Sequence, residues 1–194
     1  MYAWLDTCSS GENNSARVTG SQGGQLETTT GMPSLRDQLI GAWELVEYSA
    51  FPPSNPGEKI YPMGERAQGI IMYTPDGYMS AQLQIPGQSP FASGDMNGGT
   101  TEELAEAGRK YFAYTGQFWL DESGDEPILM HEMRCSSFPN WLGNVQRRIM
   151  KLSDDGGEHL LTLGPEKAVE VMGEVRMTRL VWRRLPDNLA ERLM

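Results

Sequence analysis

The sequence contains only two cysteines, Cys8 and Cys135, and two histidines, His131 and His159. Two cysteines cannot build a disulfide framework, and their spacing matches no zinc motif. Two histidines that lie far apart in the chain also supply no cluster for zinc or iron. We therefore expect no bound metal, and a reducing compartment in which both thiols stay unpaired.

Long apolar runs, basic patches and phosphate-binding loops are missing as well. No stretch approaches the roughly 20 apolar residues of a membrane helix, and the first residues lack the features of a secretory signal. The net charge of −10 disfavours nucleic acid. No Gly-rich phosphate loop and no Gly-x-Ser-x-Gly elbow occurs. We expect a cytoplasmic protein that uses no cofactor and binds neither nucleic acid nor membrane. Its oligomeric state stays open, with a homodimer as one option.

Composition divides the chain into three parts. Residues 1–33 are rich in Gly, Ser, Thr, Asn and Gln, which predicts a disordered N-terminal extension. A targeting or interaction arm is the alternative for this segment. Residues 34–185 have the pattern of one folded domain, and residues 186–194 form a C-terminal tail.

The folded part has the pattern of about eight short strands in hairpin-like succession with one long helix. Strands are predicted near residues 42–50, 67–74, 78–85, 114–120, 128–136, 144–152, 159–164 and 175–185. The sequence Thr100-Thr101-Glu102-Glu103 is a capping box and predicts a helix near 101–112. This spacing indicates an all-β protein, either an antiparallel barrel or a sandwich.

Several segments resemble lipocalin-like domain proteins, a family of small bacterial and fungal proteins. They are LIGAWELVEY, IYPMGERAQGIIMYTPDGYMSAQL, TTEELAEAGRKYFAYTG, FPNWLGNVQRR and LVWRRL, in this order between Leu35 and Leu185. The resemblance implies a closed, eight-stranded antiparallel barrel with one plugged end and one end open to a cavity. Some fungal members occur with genes for secondary metabolites, and related barrels include cyclases that need no redox cofactor.

The strand before FPNWLG carries ionisable residues. Alternation of side chains along a strand does not by itself decide which of them point into the barrel. Ile128, Met130, Glu132, Arg134 and Ser136 share one face, and Leu129, His131, Met133 and Cys135 share the other. The Gln-x-Arg pattern of the resemblance favours Gln146 and Arg148 inside the barrel, with Glu132 and Arg134 as their expected neighbours. The family pattern has a second histidine and an acid where this sequence has Glu132 and Arg134, which suggests a specialised pocket.

These residues give a candidate site. The catalytic candidates are His131, Glu132, Arg134, Arg148 and Tyr114, and the candidates for substrate binding are Glu47, Tyr73, Met72, Met79, Phe118, Trp119 and Gln146. His131, Glu132 or Tyr114 could act as an acid, and Arg134 or Arg148 could stabilise an enolate-like oxygen. The alternatives are a buried, architectural Glu132–Arg134 pair, a surface pair of the same two residues on the outer face, and an outward or backbone-bonded His131. Glu47 could equally be exposed at a strand end.

Two further residues have structural predictions. Trp43 is expected to plug the closed end of the barrel, with Arg183 or Arg184 stacked across it. His159 follows a turn and is expected to be exposed.

Two functions compete on these grounds. The first is a cofactor-independent cyclase or isomerase that acts on a hydrophobic polyketide- or terpenoid-type intermediate, for example by adding an oxygen to an alkene. The second is a carrier that binds a small apolar metabolite without changing it.

Overall fold

The structure is a computed structural model and describes residues 32–188. The predicted N-terminal extension and C-terminal tail fall almost wholly outside that range and remain predictions.

The chain folds into an antiparallel β-barrel. Its strands are β1 (Gly41–Phe51), β2 (Gln68–Tyr73), β3 (Tyr78–Gln84), β4 (Tyr111–Asp121), β5 (Ile128–Glu132), β6 (Cys135–Ser136), β7 (Val145–Asp155), β8 (Glu158–Pro165), β9 (Val169–Val171) and β10 (Glu174–Arg184). The helices are α1 (Leu35–Leu39), α2 (Thr101–Lys110) and a 3-10 turn at Pro139–Trp141. Eight strands follow one another around the barrel in the order β1-β2-β3-β4-β5-β7-β8-β10, and β10 pairs with β1 to close it. The prediction of an eight-stranded closed barrel with one main helix is confirmed.

The strand pair that closes the barrel contains a β-bulge. β1 and β10 pair from Trp43 opposite Arg184 to Phe51 opposite Met177, and the register shifts between Leu45 and Glu47. A bulge adds one residue to one strand, so side chains beyond it point to the opposite face from the one that simple alternation predicts. Tyr48 therefore faces the barrel interior.

One end of the barrel is closed by Trp43. Its side chain is buried, its indole Nε1 donates to the Leu39 carbonyl at 2.9 Å, and the Arg184 guanidinium lies 5.1 Å from the ring centroid. Arg184 also donates to the Gln38 carbonyl at 2.8 Å, which ties β10 to α1. The predicted plug is confirmed, with Arg184 as the stacked arginine.

Helix α2 leads directly into β4 and has no buried residue. Its N-terminus has the predicted capping box, because Glu103 N–H donates to Thr100 Oγ1 at 3.2 Å and Thr100 N–H donates to Glu103 Oε2 at 2.8 Å. The helix thus begins where the sequence predicts and ends two residues earlier, since Tyr111 is already extended.

A second irregularity separates β5 from β6. Phe118 pairs with His131, but Tyr114 pairs with Ser136, so β5–β6 contains one residue more than the facing part of β4. Gly116 lies at this point, and a Cβ there would lie 1.7 Å from the Glu132 carbonyl oxygen. The extra residue reverses the alternation, so the prediction that Cys135 shares the face of His131 is wrong, and Cys135 is exposed.

Candidate ligand cavity

A cavity of about 260 Å³ opens at the barrel end opposite Trp43. Its residues come from most of the barrel strands and from the β8–β10 connection: Tyr48, Leu83, Phe112, Tyr114, Phe138, Trp141, Gln146, Arg148, Leu163, Gly164, Pro165, Val169, Glu170, Val171, Thr178 and Leu180. This volume lies just below the usual range for small-molecule sites, which is about 300–1,000 Å³. The cavity can therefore hold one small molecule.

One wall of the cavity is a cluster of aromatic rings. The Trp141 ring centroid lies 5.3 Å from Phe112, 5.6 Å from Tyr114 and 6.0 Å from Phe138, with the planes steeply inclined. Such edge-to-face contacts are favourable beyond the area they bury. The 3-10 turn at Pro139–Trp141 positions Trp141, so the FPNW segment contributes Phe138 and Trp141 to this wall, and β4 contributes Phe112 and Tyr114. Trp141 and Phe112 were not among the predicted site residues, although both lie in segments that carry the family resemblance.

Arg148 is the basic residue among those that line the cavity. Its Nη2 donates to Gln146 Oε1 at 3.2 Å, its Nη1 donates to the Arg147 carbonyl at 3.4 Å, and its guanidinium lies 5.5 Å from the Trp141 centroid. Gln146 in turn donates its amide to Asn144 Oδ1 at 2.9 Å. As the Gln-x-Arg pattern predicts, both side chains line the interior.

His131 lies in the layer beneath the cavity and is 0% exposed. The Tyr73 hydroxyl is 3.1 Å from His131 Nε2, whereas Nδ1 has no hydrogen-bond partner within residues 32–188. Burial, with a smaller contribution from the charge of Arg148, lowers the pKa of His131 to about 3. The imidazole is therefore neutral at pH 7. The alternative that His131 lies outside or binds a backbone carbonyl is wrong.

Three tyrosines surround this layer and stay protonated. Burial raises the pKa of Tyr48, Tyr73 and Tyr114, and the nearby charge of Arg148 offsets part of that effect. Each hydroxyl is consequently a neutral hydrogen-bond donor at physiological pH. Tyr48 and Tyr114 also line the cavity, so they can donate to a ligand oxygen.

Glu132 and Arg134 lie on the outer surface, which corrects the expected arrangement. Cross-strand pairing sets His131 opposite Gln146, so alternation turns Glu132 away from the cavity. Arg134 Nε donates to Glu132 at 3.3 Å, and both side chains are substantially exposed. The prediction that these two residues neighbour Gln146 and Arg148 is wrong, and they form a surface pair.

Glu47 also lies away from the cavity, because of the bulge in β1. It accepts from Ser49 Oγ at 2.8 Å, Lys59 Nζ at 2.9 Å and Arg179 Nη2 at 2.9 Å. Burial alone would raise its pKa, but the hydrogen bonds from Lys59, Arg179 and Ser49 outweigh that effect and lower the pKa of Glu47 to about 2. Glu47 is thus an ionised member of a surface network. Tyr48 lines the cavity in place of Glu47, for which that position was predicted.

The remaining predicted binding residues separate into two groups. Met72 and Trp119 are each 40% exposed on the outer face, so they cannot contact a ligand inside the barrel. Tyr73, Met79 and Phe118 point inward but are packed in the core beneath the cavity. Tyr114, Gln146 and Arg148 are therefore the predicted residues that the structure brings together around the cavity.

Residues 32–188 contain no group of three or more His, Cys, Asp or Glu side chains arranged to hold a metal ion. Within the same range, none of the helices has the length and apolar character needed to cross a membrane.

Comparison with known proteins identifies the family of this barrel. Residues 40–185 match the model of the lipocalin-like domain, so the chain belongs to that family. A relative, the 4'-hydroxy-3'-methoxypropiophenone carrier protein ppsC of Aspergillus oryzae, is 34% identical over 112 residues, which cover 56% of this chain and 97% of that protein.

Proposed function

We propose that the protein is a carrier that binds one small, largely apolar metabolite in the cavity at its open end. The observation that carries this proposal is the cavity itself, about 260 Å³ in volume and walled by aromatic and aliphatic side chains. Apolar walls with a few polar groups are the usual composition of a small-molecule site. Trp43 closes the other end, so the ligand would enter and leave at one side.

The relative supports the same proposal. Its name describes the carriage of a propiophenone, which is a single aromatic ring with a short acyl chain and oxygen substituents. A molecule of that kind suits a small cavity in which Trp141, Phe112 and Tyr48 offer ring surfaces. We infer an aromatic secondary metabolite as the cargo class.

The second candidate is a cofactor-independent cyclase or isomerase. Tyr114 and Arg148 favour it, because they place a neutral acid and a cation in the same cavity. In a ring closure, Tyr114 would protonate an alkene carbon and take back the proton of the attacking hydroxyl, while Arg148 would stabilise an enolate-like oxygen. The other proposed acids support it poorly, since His131 is a neutral imidazole at pH 7 and lacks the acidic proton of an imidazolium, and Glu132 faces outward.

The binding function is tested by filling the cavity. We expect wild-type protein to bind a small aryl ketone with 1:1 stoichiometry in isothermal titration calorimetry. Thr178→Trp places a large ring in the cavity and should weaken binding by at least about tenfold, because the ligand loses its space. Val175→Trp is the matched control, since Val175 lies on the same strand, is 66% exposed and does not line the cavity.

Equal affinity in wild type and a folded Thr178→Trp variant would contradict a site in this cavity. The carrier is separated from the catalyst by chromatography and mass spectrometry of the ligand after incubation. A carrier returns the ligand unchanged. A product that disappears in Tyr114→Phe while affinity is retained would favour the cyclase.

A further inference from the structure

Arg148 is half-buried, and its guanidinium has no acidic partner among residues 32–188. None of the ten ion pairs found in residues 32–188 includes it. Its two hydrogen bonds go to neutral oxygens on its own strand, and the longer one is 3.4 Å. Further N–H donors of the guanidinium are left for another acceptor.

The adjacent arginine shows the contrast. Arg147 points outward from the same strand and binds Glu166 with two hydrogen bonds, of 2.6 and 3.2 Å. This fork-to-fork geometry is the arrangement that a guanidinium usually makes with a carboxylate. The inward Arg148 has the same chemistry, but no carboxylate in the described part of the chain pairs with it.

The groups around Arg148 do not neutralise its charge. Its charge acts on Tyr48 from β1, Tyr73 from β2, Tyr114 from β4 and His131 from β5, and all four are neutral at pH 7. The acidic residue at the cavity is Glu170 on β9, which is exposed and joins no ion pair in the described part of the chain. A partly buried cation without a counter-charge is costly, so an anion that enters the cavity is favoured.

We propose that the cargo is a planar aromatic molecule with one anionic oxygen group, which pairs with Arg148 while its ring contacts Trp141 and Tyr114. This inference rests on the proposed binding function and specifies its ligand. A single cation and aromatic walls suit a monoanion, whereas a phosphate carries about −1.5 to −2 charges and would require more donors. The anionic oxygen could belong to a phenolate or to a carboxylate, and the probes below distinguish these two sources.

The experiment compares matched anionic and neutral probes by isothermal titration calorimetry. The first pair is a 4-hydroxyaryl ketone, at a pH above the pKa of its hydroxyl, and its methyl ether. The second pair is an aryl carboxylate and its methyl ester. We expect wild-type protein to prefer the anion of at least one pair by about 10- to 100-fold, as for a charge-assisted hydrogen bond to arginine.

Variants assign that preference to one side chain. Arg148→Met should abolish it, and Arg147→Met, which removes the same charge from the outer face, should retain it. Arg148→Lys should retain only part of it, because the ammonium lacks the planar fork. For the 4-hydroxyaryl ketone, affinity for wild type should rise as pH passes the pKa of the probe, and Arg148→Met should show no such rise.

The outcomes separate this inference from the proposed function. If the neutral ethers and esters bind wild type as tightly as the anions, the anion inference is wrong and the carrier function stands. If the anions are preferred but Arg148→Met keeps the preference, the assignment to Arg148 is wrong. If none of the four probes binds, both proposals fail. The comparison of anionic with neutral probes uses wild-type protein alone, so it tests the anion inference even if a variant does not fold.

Discussion

His131 is a buried imidazole whose protonation is coupled to folding. Burial lowers its pKa from 6.5 to about 3 in the folded protein, whereas the unfolded chain restores the ordinary value. The unfolded state therefore binds the proton first as pH falls, and stability is lost between about pH 6.5 and pH 3. At pH values above 6.5 the contribution to stability is complete.

We predict that wild-type protein loses about 2 kcal/mol of unfolding free energy from this residue between pH 7.5 and pH 5. His131→Gln removes the titrating group and should flatten the pH dependence by that amount. Urea denaturation at a series of pH values measures it. His159→Gln is the comparison variant, because it removes the other histidine, which is exposed. A wild-type slope that survives in His131→Gln would contradict a buried, neutral His131.

Individual side-chain directions were the least predictable property at this scale. The Gln-x-Arg pattern predicts the orientation of Gln146 and Arg148 correctly, whereas the expectation that Glu132 and Arg134 lie beside them is wrong. In a regular strand, alternation indicates which residues share a face, but it does not indicate which of the two faces is inside the barrel. The inner face of β5 follows from its pairing with β7. For Glu47, the β1 bulge reverses the alternation, and a bulge leaves no clear signal in a single sequence.

The junction between β5 and β6 depends on one glycine. The carbonyl of Glu132 approaches Gly116 so closely that a Cβ would lie 1.7 Å from it, far inside van der Waals contact. A backbone atom cannot move aside as a side-chain terminus can. The extra residue between β5 and β6 can therefore be accommodated only when position 116 has no side chain.

We predict that Gly116→Ala destabilises the protein by about 3 kcal/mol or more, because the β4–β5 pairing must separate. Gly108→Ala is the matched control, since nothing lies within 4 Å of a Cβ there. That substitution in α2 should stabilise by up to about 1 kcal/mol, the difference in helix propensity between alanine and glycine. Chemical denaturation compares the two variants. A Gly116→Ala protein as stable as wild type would refute the close approach.

The elements themselves were largely predictable from the sequence. Apolar alternation located every strand of the barrel, and the capping box located the start of α2. The stretch predicted as one strand over 128–136 is divided into β5 and β6, because the extra residue opposite Gly116 interrupts the ladder. Closure of β1 onto β10 connects residues more than a hundred positions apart, so it followed from the family resemblance and not from any local pattern.

The barrel as a whole has two chemically different ends. Trp43, Leu39 and Arg184 close one end with packed rings and hydrogen bonds, and the other end holds the cavity with Arg148. The chain has a net charge of −10, so an anionic ligand would approach against the average field of the protein. The attraction for an anionic ligand would therefore come from the local positive charge of Arg148. The aromatic wall around Trp141 could not be predicted from sequence, because its rings come from segments distant in the chain.

The central claim, a ligand site at the open end, is tested most directly by the indole N–H signals of ¹⁵N-labelled protein during titration with a 4-hydroxyaryl ketone. Trp141→Phe assigns the signal of the residue that lines the cavity. We predict that the Trp141 signal shifts and saturates at one equivalent, while Trp43 at the closed end and Trp119 on the outer face stay unchanged. A probe that binds with an unmoved Trp141 signal, or that shifts Trp119 instead, would contradict the account.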